Sequence, residues 1–440
     1  MSLARSIADF VVGLNDNDLD PAVREKLDSC LIYGYGMALG SRATPYYEVA
    51  GRAEAGTGSK GAATVLFNGR KVSTASATFV NAALFGGRGQ DDTCGRIHMG
   101  TVVIPMLTAM LESGLYSMEQ IRPALLAGYE VGGLFDKAFG NANGLRASAL
   151  YGTLGAAVAA ARLIGLDAEG TTAALANAAA FTGGTLHAFA ESTDEWRYQL
   201  GVSARNGLTA ALLASAGSVS ASFPFEGKRG FLSAYVREEV DVGPLIDRIG
   251  RDWAIERVIF KPYPVCALIQ VPVTGALALR ERIGNEPIDA VRVFMNPDET
   301  SLPGMDSKGP FDRISGTLMS IPFSIATTLI HGAPTMDRLM IYDDTRVNAL
   351  AAKVEVINDA KIPKLTTVIE LDRASGLIRH EQVMTEADFS YDRQSTLNLV
   401  RRIGQEQGVA DALYDRLDAF VTDLPNSAIE EVVSLFDVAS

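Results

Sequence analysis

Cysteine is scarce in this chain: three residues in 440, at positions 30, 94 and 266. They lie far apart and form no Cys-x-x-Cys pair, which excludes a disulfide framework and a zinc knot. Histidine is nearly as sparse, with four, and His-Glu-x-x-His does not occur, so no metal site is expected. Positive charge is in deficit. Lysine and arginine number 39 against 52 acidic residues, a net charge of −13, which argues against a nucleic-acid partner held by cations on phosphates. Long apolar runs are missing as well. The most apolar stretch, 147–161, is closed by Arg162, short of the roughly 18 residues a spanning helix needs. The N-terminal segment carries Asp9 and Asp16 with no apolar core before a small-residue cleavage site. No secretory signal or membrane partner is expected, and the chain reads as cytoplasmic. Nucleotide signatures fail too. Gly56-Thr57-Gly58-Ser59-Lys60 lacks phosphate-loop spacing, and Gly87-x-Gly89 lacks the third glycine of a dinucleotide fingerprint.

What the chain does have is ordinary apolar content, 48%, with 21% charged residues, as in soluble globular proteins. Its length exceeds the size at which one core stops growing, so two domains are expected. Residues 1 to about 250 are rich in alanine, leucine and glycine at helical spacing. Segments 4–14, 21–37, 101–113, 117–139, 147–164 and 202–220 read as helices, with stops at Gly40, Gly114 and Gly165. A strand at 63–67 followed by Asn68-Gly69 predicts a hairpin-type turn. After Trp253 the text changes: 258–260, 290–295, 338–341, 353–357 and 367–371 are short and β-branched, alternating with helical runs at 271–283 and 323–331. From 396 to 438 it is helical again. The expected fold is mainly α with a second, α+β domain: a helical domain from 1–257 and 391–440, and an α+β domain over 258–390.

Two stretches concentrate chemistry. Gly86-Gly87-Arg88-Gly89-Gln90-Asp91-Asp92-Thr93-Cys94-Gly95-Arg96-Ile97-His98 sets two carboxylates, a hydroxyl, two guanidiniums and an imidazole in a glycine-rich turn before an apolar helix. His98 is a candidate general base or acid, since imidazole titrates near neutral pH. Asp91 and Asp92 either orient it, hold an arginine, or cap the segment that follows. In Phe260-Lys261-Pro262-Tyr263-Pro264-Val265-Cys266 two prolines stiffen the backbone around Lys261, a good place to aim an ammonium at an anion. Arg146 opens the 147–164 helix, where a cation opposes the dipole unless an acid or anion sits there. Of Arg197 and Arg205, one is expected to make only a surface ion pair.

In order along the chain, Asn81 to Thr93, His98-Met99-Gly100 with Pro105, Gly152-Thr153-Leu154-Gly155-Ala156-Ala157, Glu226-Gly227-x-x-Gly230-Phe231, Lys261 to Cys266 and Ser320 to Ala326 resemble the MmgE/PrpD family. That family includes 2-methylcitrate dehydratase, cis-aconitate decarboxylase and iminodisuccinate epimerase. The resemblance implies a helical domain built from both chain ends, an inserted lid, a homodimer, no cofactor, and a small polycarboxylate as the substrate. It places Thr93, His98 and Lys261 where members keep active-site residues, with Asp92 as a positioning group. Arg146, Arg197, Arg88, Arg96 and Tyr151 are the substrate-binding candidates. Four positions depart from the family pattern: Gly89 replaces an aspartate, Arg146 a histidine, Arg197 with Trp196 a lysine-bearing stretch, and Phe323 a tyrosine. The implied chemistry is removal of a proton α to a carboxylate, with a lyase outcome expected. The alternatives are a dicarboxylate epimerase and a non-catalytic binding homologue.

Overall fold

Small residues set how closely the helices approach. The computed structural model describes residues 2–237, 239–284 and 286–437. Its contacts divide the chain into two units, one of residues 1–185, 197–260 and 391–440, the other of residues 186–196 and 261–390.

The first unit is helical, and its tightest pair is Ile121–Phe139 against Ala147–Ile164. A Cβ added at Gly155 would stand 2.7 Å from the Gly128 carbonyl, so only glycine lets these backbones come this close. Leu3–Gly13, Pro21–Leu39, Met99–Leu111 and Ala147–Ile164 match the expected helices to within about two residues at most ends. Gly165 closes the last of these in the left-handed conformation at φ 82°, as a helix C-cap requires.

Arg162 does not end this helix. It stays inside the last turn, and its Nη2 donates to Leu14 O at 2.6 Å. The helix therefore reaches 18 residues, long and apolar enough to cross a membrane by length and composition alone, with 89% of it buried inside protein. That burial marks a core helix. The sequence reading passes over Tyr46–Ala55, Thr74–Phe85 and Ala168–Phe181. Residues 63–72 form the expected hairpin, with Ala63 opposite Val72 and Gly69 at φ 70°.

The second unit carries a four-stranded sheet. Ile288–Met295 pairs in parallel with Val354–Asn358 and antiparallel with Thr366–Arg373, which pairs with Ile378–Val383. The parallel pair needs a long crossover, supplied by the chain through Ile321–His331 and Thr345–Ala352. Helix Gln270–Ile283 packs on the sheet and on Ile321–His331. The stretch 338–341 is not a strand. Thr335 caps it, its side chain accepting from Arg338 N, and Met336–Leu339 is helical with Asp337 in its first turn, where a carboxylate suits the dipole. The edge strand Ile378–Val383 escaped the sequence reading because its alternating residues are polar and half-exposed.

Candidate functional site

Within the first unit the Thr74–Phe85 helix stops at Gly86, and the chain turns through Gly89 at φ 63°. Tyr33 Oη donates to Gln90 O at 2.7 Å and so ties this turn to helix Pro21–Leu39. Thr93–Cys94 then pairs antiparallel with Val258–Ile259. Cys94 and Ile97 exchange both backbone hydrogen bonds, at 3.0 and 3.2 Å, around Gly95 at φ 64°. A side chain at Gly95 would collide with Asp136 Oδ2, which accepts from Arg96 N at 3.0 Å.

This hairpin delivers His98 to the N-cap position of helix Met99–Leu111, where its side chain makes no capping bond. The imidazole Nδ1 lies 2.8 Å from Asp92 O and 3.5 Å from Thr93 Oγ1. A carbonyl only accepts, so Nδ1 carries the proton, and in the neutral ring Nε2 is the basic nitrogen. His98 is half-buried; Asp91, Asp92 and Thr93 are buried. Asp92 makes contacts with both its carboxylate and its carbonyl. Its carboxylate accepts from Gly100 N at 3.2 Å, which caps the helix, while its carbonyl orients the imidazole.

Two further cations come from distant helices. Arg146 is the N-cap residue of Ala147–Ile164 and is 3% exposed, with Nη1 3.4 Å from Gln199 Oε1. Burial lowers its guanidinium to about 10, Asp91 opposes that shift, and Arg197 adds to it. It remains a cation at neutral pH. Arg197 is fully buried, with Nε 3.4 Å from Gly87 O and its guanidinium 3.9 Å over the Tyr46 ring. Arg205 instead pairs with Glu54 at 2.8 Å. Arg146, Arg197 and Asp91 thus share one electrostatic environment, and such a buried cluster can hold an anion.

The remaining candidates separate. Arg88 is fully buried, and its donors go to Gln90 Oε1, Gly40 O and Glu406 Oε2, the last at 2.7 Å. It clamps the C-terminal segment to the glycine turn. Arg96 is exposed, and its guanidinium covers Gly140 at the end of helix Ile121–Phe139. Tyr151 is fully buried with its hydroxyl unbonded, and burial raises its pKa, as does nearby Asp136. In the second unit Lys261 is 3% exposed, directly after the strand that pairs with Thr93–Cys94. Its loop is fixed by Gln270, which accepts from Tyr263 N and donates to Tyr263 O and Val265 O. Cys266 shares this loop, and burial pushes its thiol up. Trp196 donates to Ser315 Oγ at 3.3 Å, and Phe323 packs edge-on to Phe311.

Sequence reasoning missed the supports of this site. Lys26, Cys30 and Tyr33 recur at helical spacing on Pro21–Leu39 and meet, respectively, Phe260, Tyr129 and Gln90. That periodicity is legible, but it reads as core.

Two buried carboxyls on helix Ile121–Phe139 give this unit a pH-dependent stability. Glu130 accepts from Ala254 N and Ile255 N, each at 2.9 Å, and burial pushes it up to about 7; burial takes Asp136 to about 6. The unfolded chain releases these protons near pH 4, so the folded state binds more protons between about pH 4 and 7. Stability contributed by these groups falls as pH rises through that window. Melting temperature is expected to be higher at about pH 5.5 than at about pH 8, and Glu130→Gln to flatten that slope. Thermal melts across the window check this; an unaltered slope contradicts it.

Among known proteins, the MmgE/PrpD N-terminal domain profile matches residues 5–242. The cis-aconitate decarboxylase of Aspergillus terreus is 25% identical over 368 residues, covering 77% of this chain and 74% of that protein. The cis-aconitate decarboxylase-like protein oryM of Aspergillus oryzae is 26% identical over 250 residues, 54% of this chain and 52% of that one.

Proposed function

This chain belongs to the MmgE/PrpD family, and from that premise we propose a cofactor-independent carbon-acid enzyme acting on a small di- or tricarboxylate. His98 removes or returns the proton on the carbon α to a carboxylate. Arg146 and Arg197 hold the carboxylate onto which the electron pair moves, and Thr93 and Asp92 position the imidazole. The resemblance adds Lys261 as a further cation. One observation carries the reading: the Asp92 carbonyl accepts a hydrogen bond from His98 Nδ1–H, which leaves Nε2 as the basic nitrogen on a rigidly held loop. Two buried guanidiniums in mutual Coulomb range supply the fixed positive charge that an enediolate-like transition state needs.

A lyase outcome is favoured by the similarity to a cis-aconitate decarboxylase. In dehydration the α-carbon pair expels the β-hydroxyl, which leaves as water after protonation. In decarboxylation the bond to CO₂ breaks and the imidazolium gives its proton to the carbon left behind. A second reading, epimerisation, draws on Arg146, which stands where the resembling enzymes keep a histidine. A charged guanidinium is a poor proton donor but a good carboxylate clamp. Epimerisation needs only proton removal and return on the opposite face.

Purified protein in deuterated water with cis-aconitate, 2-methylcitrate and iminodisuccinate, followed by proton NMR, separates these outcomes. Loss of CO₂ or water with one acid is the expected result. Deuterium gained at the α carbon without either loss supports the epimerase, and no exchange with any of the three overturns both.

A further inference from the structure

A polar chain beneath the site loop runs from helix to helix and ends on the imidazole. Tyr129, on Ile121–Phe139, donates to Asp92 Oδ2 at 2.6 Å, and Gly100 N reaches the same oxygen at 3.2 Å. The carbonyl of that same aspartate holds His98 Nδ1 at 2.8 Å. The junction closes only around glycine: a Cβ at Gly100 would lie 2.6 Å from Asp92 Oδ1 and 2.9 Å from Tyr129 Oη. Cys30 hydrogen-bonds to Tyr129, and burial raises the pKa of both groups, which keeps the tyrosine a donor. Lys26 lies within Coulomb range of Asp92.

A carboxylate held at one oxygen by two donors fixes its own side-chain torsion and anchors the residue whose carbonyl faces His98. Loss of the Tyr129 donor removes one of those restraints on the residue that presents the carbonyl. On the reading of His98 as the proton acceptor, we propose that Tyr129 is a positioning residue that acts through Asp92 and holds the imidazole in its Nδ1–H tautomer. Nothing in the local sequence joins these residues, since Tyr129 lies 37 positions from Asp92.

Nitrogen NMR of the full chain, labelled at histidine, reads the tautomer directly and needs no substrate, so its outcome is separable from that of the reaction assigned above. The four histidines are distinguished by the signal lost in His98→Gln. Wild-type His98 is expected as Nδ1–H, and Tyr129→Phe is expected to lower the Nδ1–H to Nε2–H ratio about fivefold, the worth of one hydrogen bond. Tyr35→Phe removes an equally buried hydroxyl, bonded to Thr108 Oγ1 at 2.7 Å, and is expected to leave the ratio unchanged. If Tyr129→Phe does not fold, Cys30→Ala replaces it, with an expected drop of about twofold. A wild-type His98 in the Nε2–H form overturns the proposal. So does an unchanged ratio in the tyrosine or cysteine variant, or an equal shift in Tyr35→Phe.

Discussion

His98→Gln is expected to slow α-proton exchange about a thousandfold, within the range contributed by a positioned general base. The fold is expected to survive. His98 is half-buried, caps nothing with its side chain, and sets its Nδ1 against a backbone carbonyl, that of Asp92. A glutamine amide can donate to that carbonyl in place of Nδ1, but it offers no basic nitrogen. Exchange rates by proton NMR and thermal melts on the same samples separate chemistry from stability. Activity within tenfold of wild type removes His98 from the mechanism and leaves the proton transfer to another group.

The second large effect distinguishes two arginines that look alike in the sequence. Arg197→Met is expected to raise KM for the active polycarboxylate by about thirtyfold, since hydrogen bonds to charged groups are worth about 1.5–3 kcal/mol. Stability should fall less than for an ordinary buried ion pair, because removing Arg197 also relieves its repulsion of Arg146. Arg88→Met should behave in the opposite way. It strands Glu406, its partner at 2.7 Å, so melting temperature falls by the equivalent of about 2 kcal/mol while KM stays within about twofold. Steady-state kinetics and melts on both variants give the comparison. An unchanged KM in Arg197→Met, or a KM effect confined to Arg88→Met, reverses the assignment.

That contrast shows why part of the site was hidden. Arg88, Arg96, Arg146 and Arg197 carry the same group, and each follows or opens an apolar segment. Their fates are set by partners far along the chain: Glu406 for Arg88, and Gln199 for Arg146. Lys26, Cys30 and Tyr129 escaped notice for a related reason. A lysine, a cysteine and a tyrosine at helical spacing on apolar helices fit a core as well as a site, and only their convergence on Asp92 and Tyr129 separates the two readings. Arg162 shows the reverse failure. Its charge read as the end of the apolar run 147–161, yet an arginine tolerates the last helical turn, where it also complements the dipole.

Taken alone, the sequence determined the helical periodicity of the first 250 residues, three of the four strands of the sheet beyond them, the glycine turn that carries Asp91 to His98, and the family. These are written within a few residues of one another, where backbone sterics and local hydrogen bonds act. The tertiary structure alone decided which arginine is spent on Glu406, which two share a buried environment with Asp91, and which nitrogen of His98 keeps its proton. A buried charge or an imidazole takes its state from whatever the packing sets against it: Asp92 lies only six residues before His98, but Gln199 and Glu406 stand 53 and 318 residues from the arginines they meet.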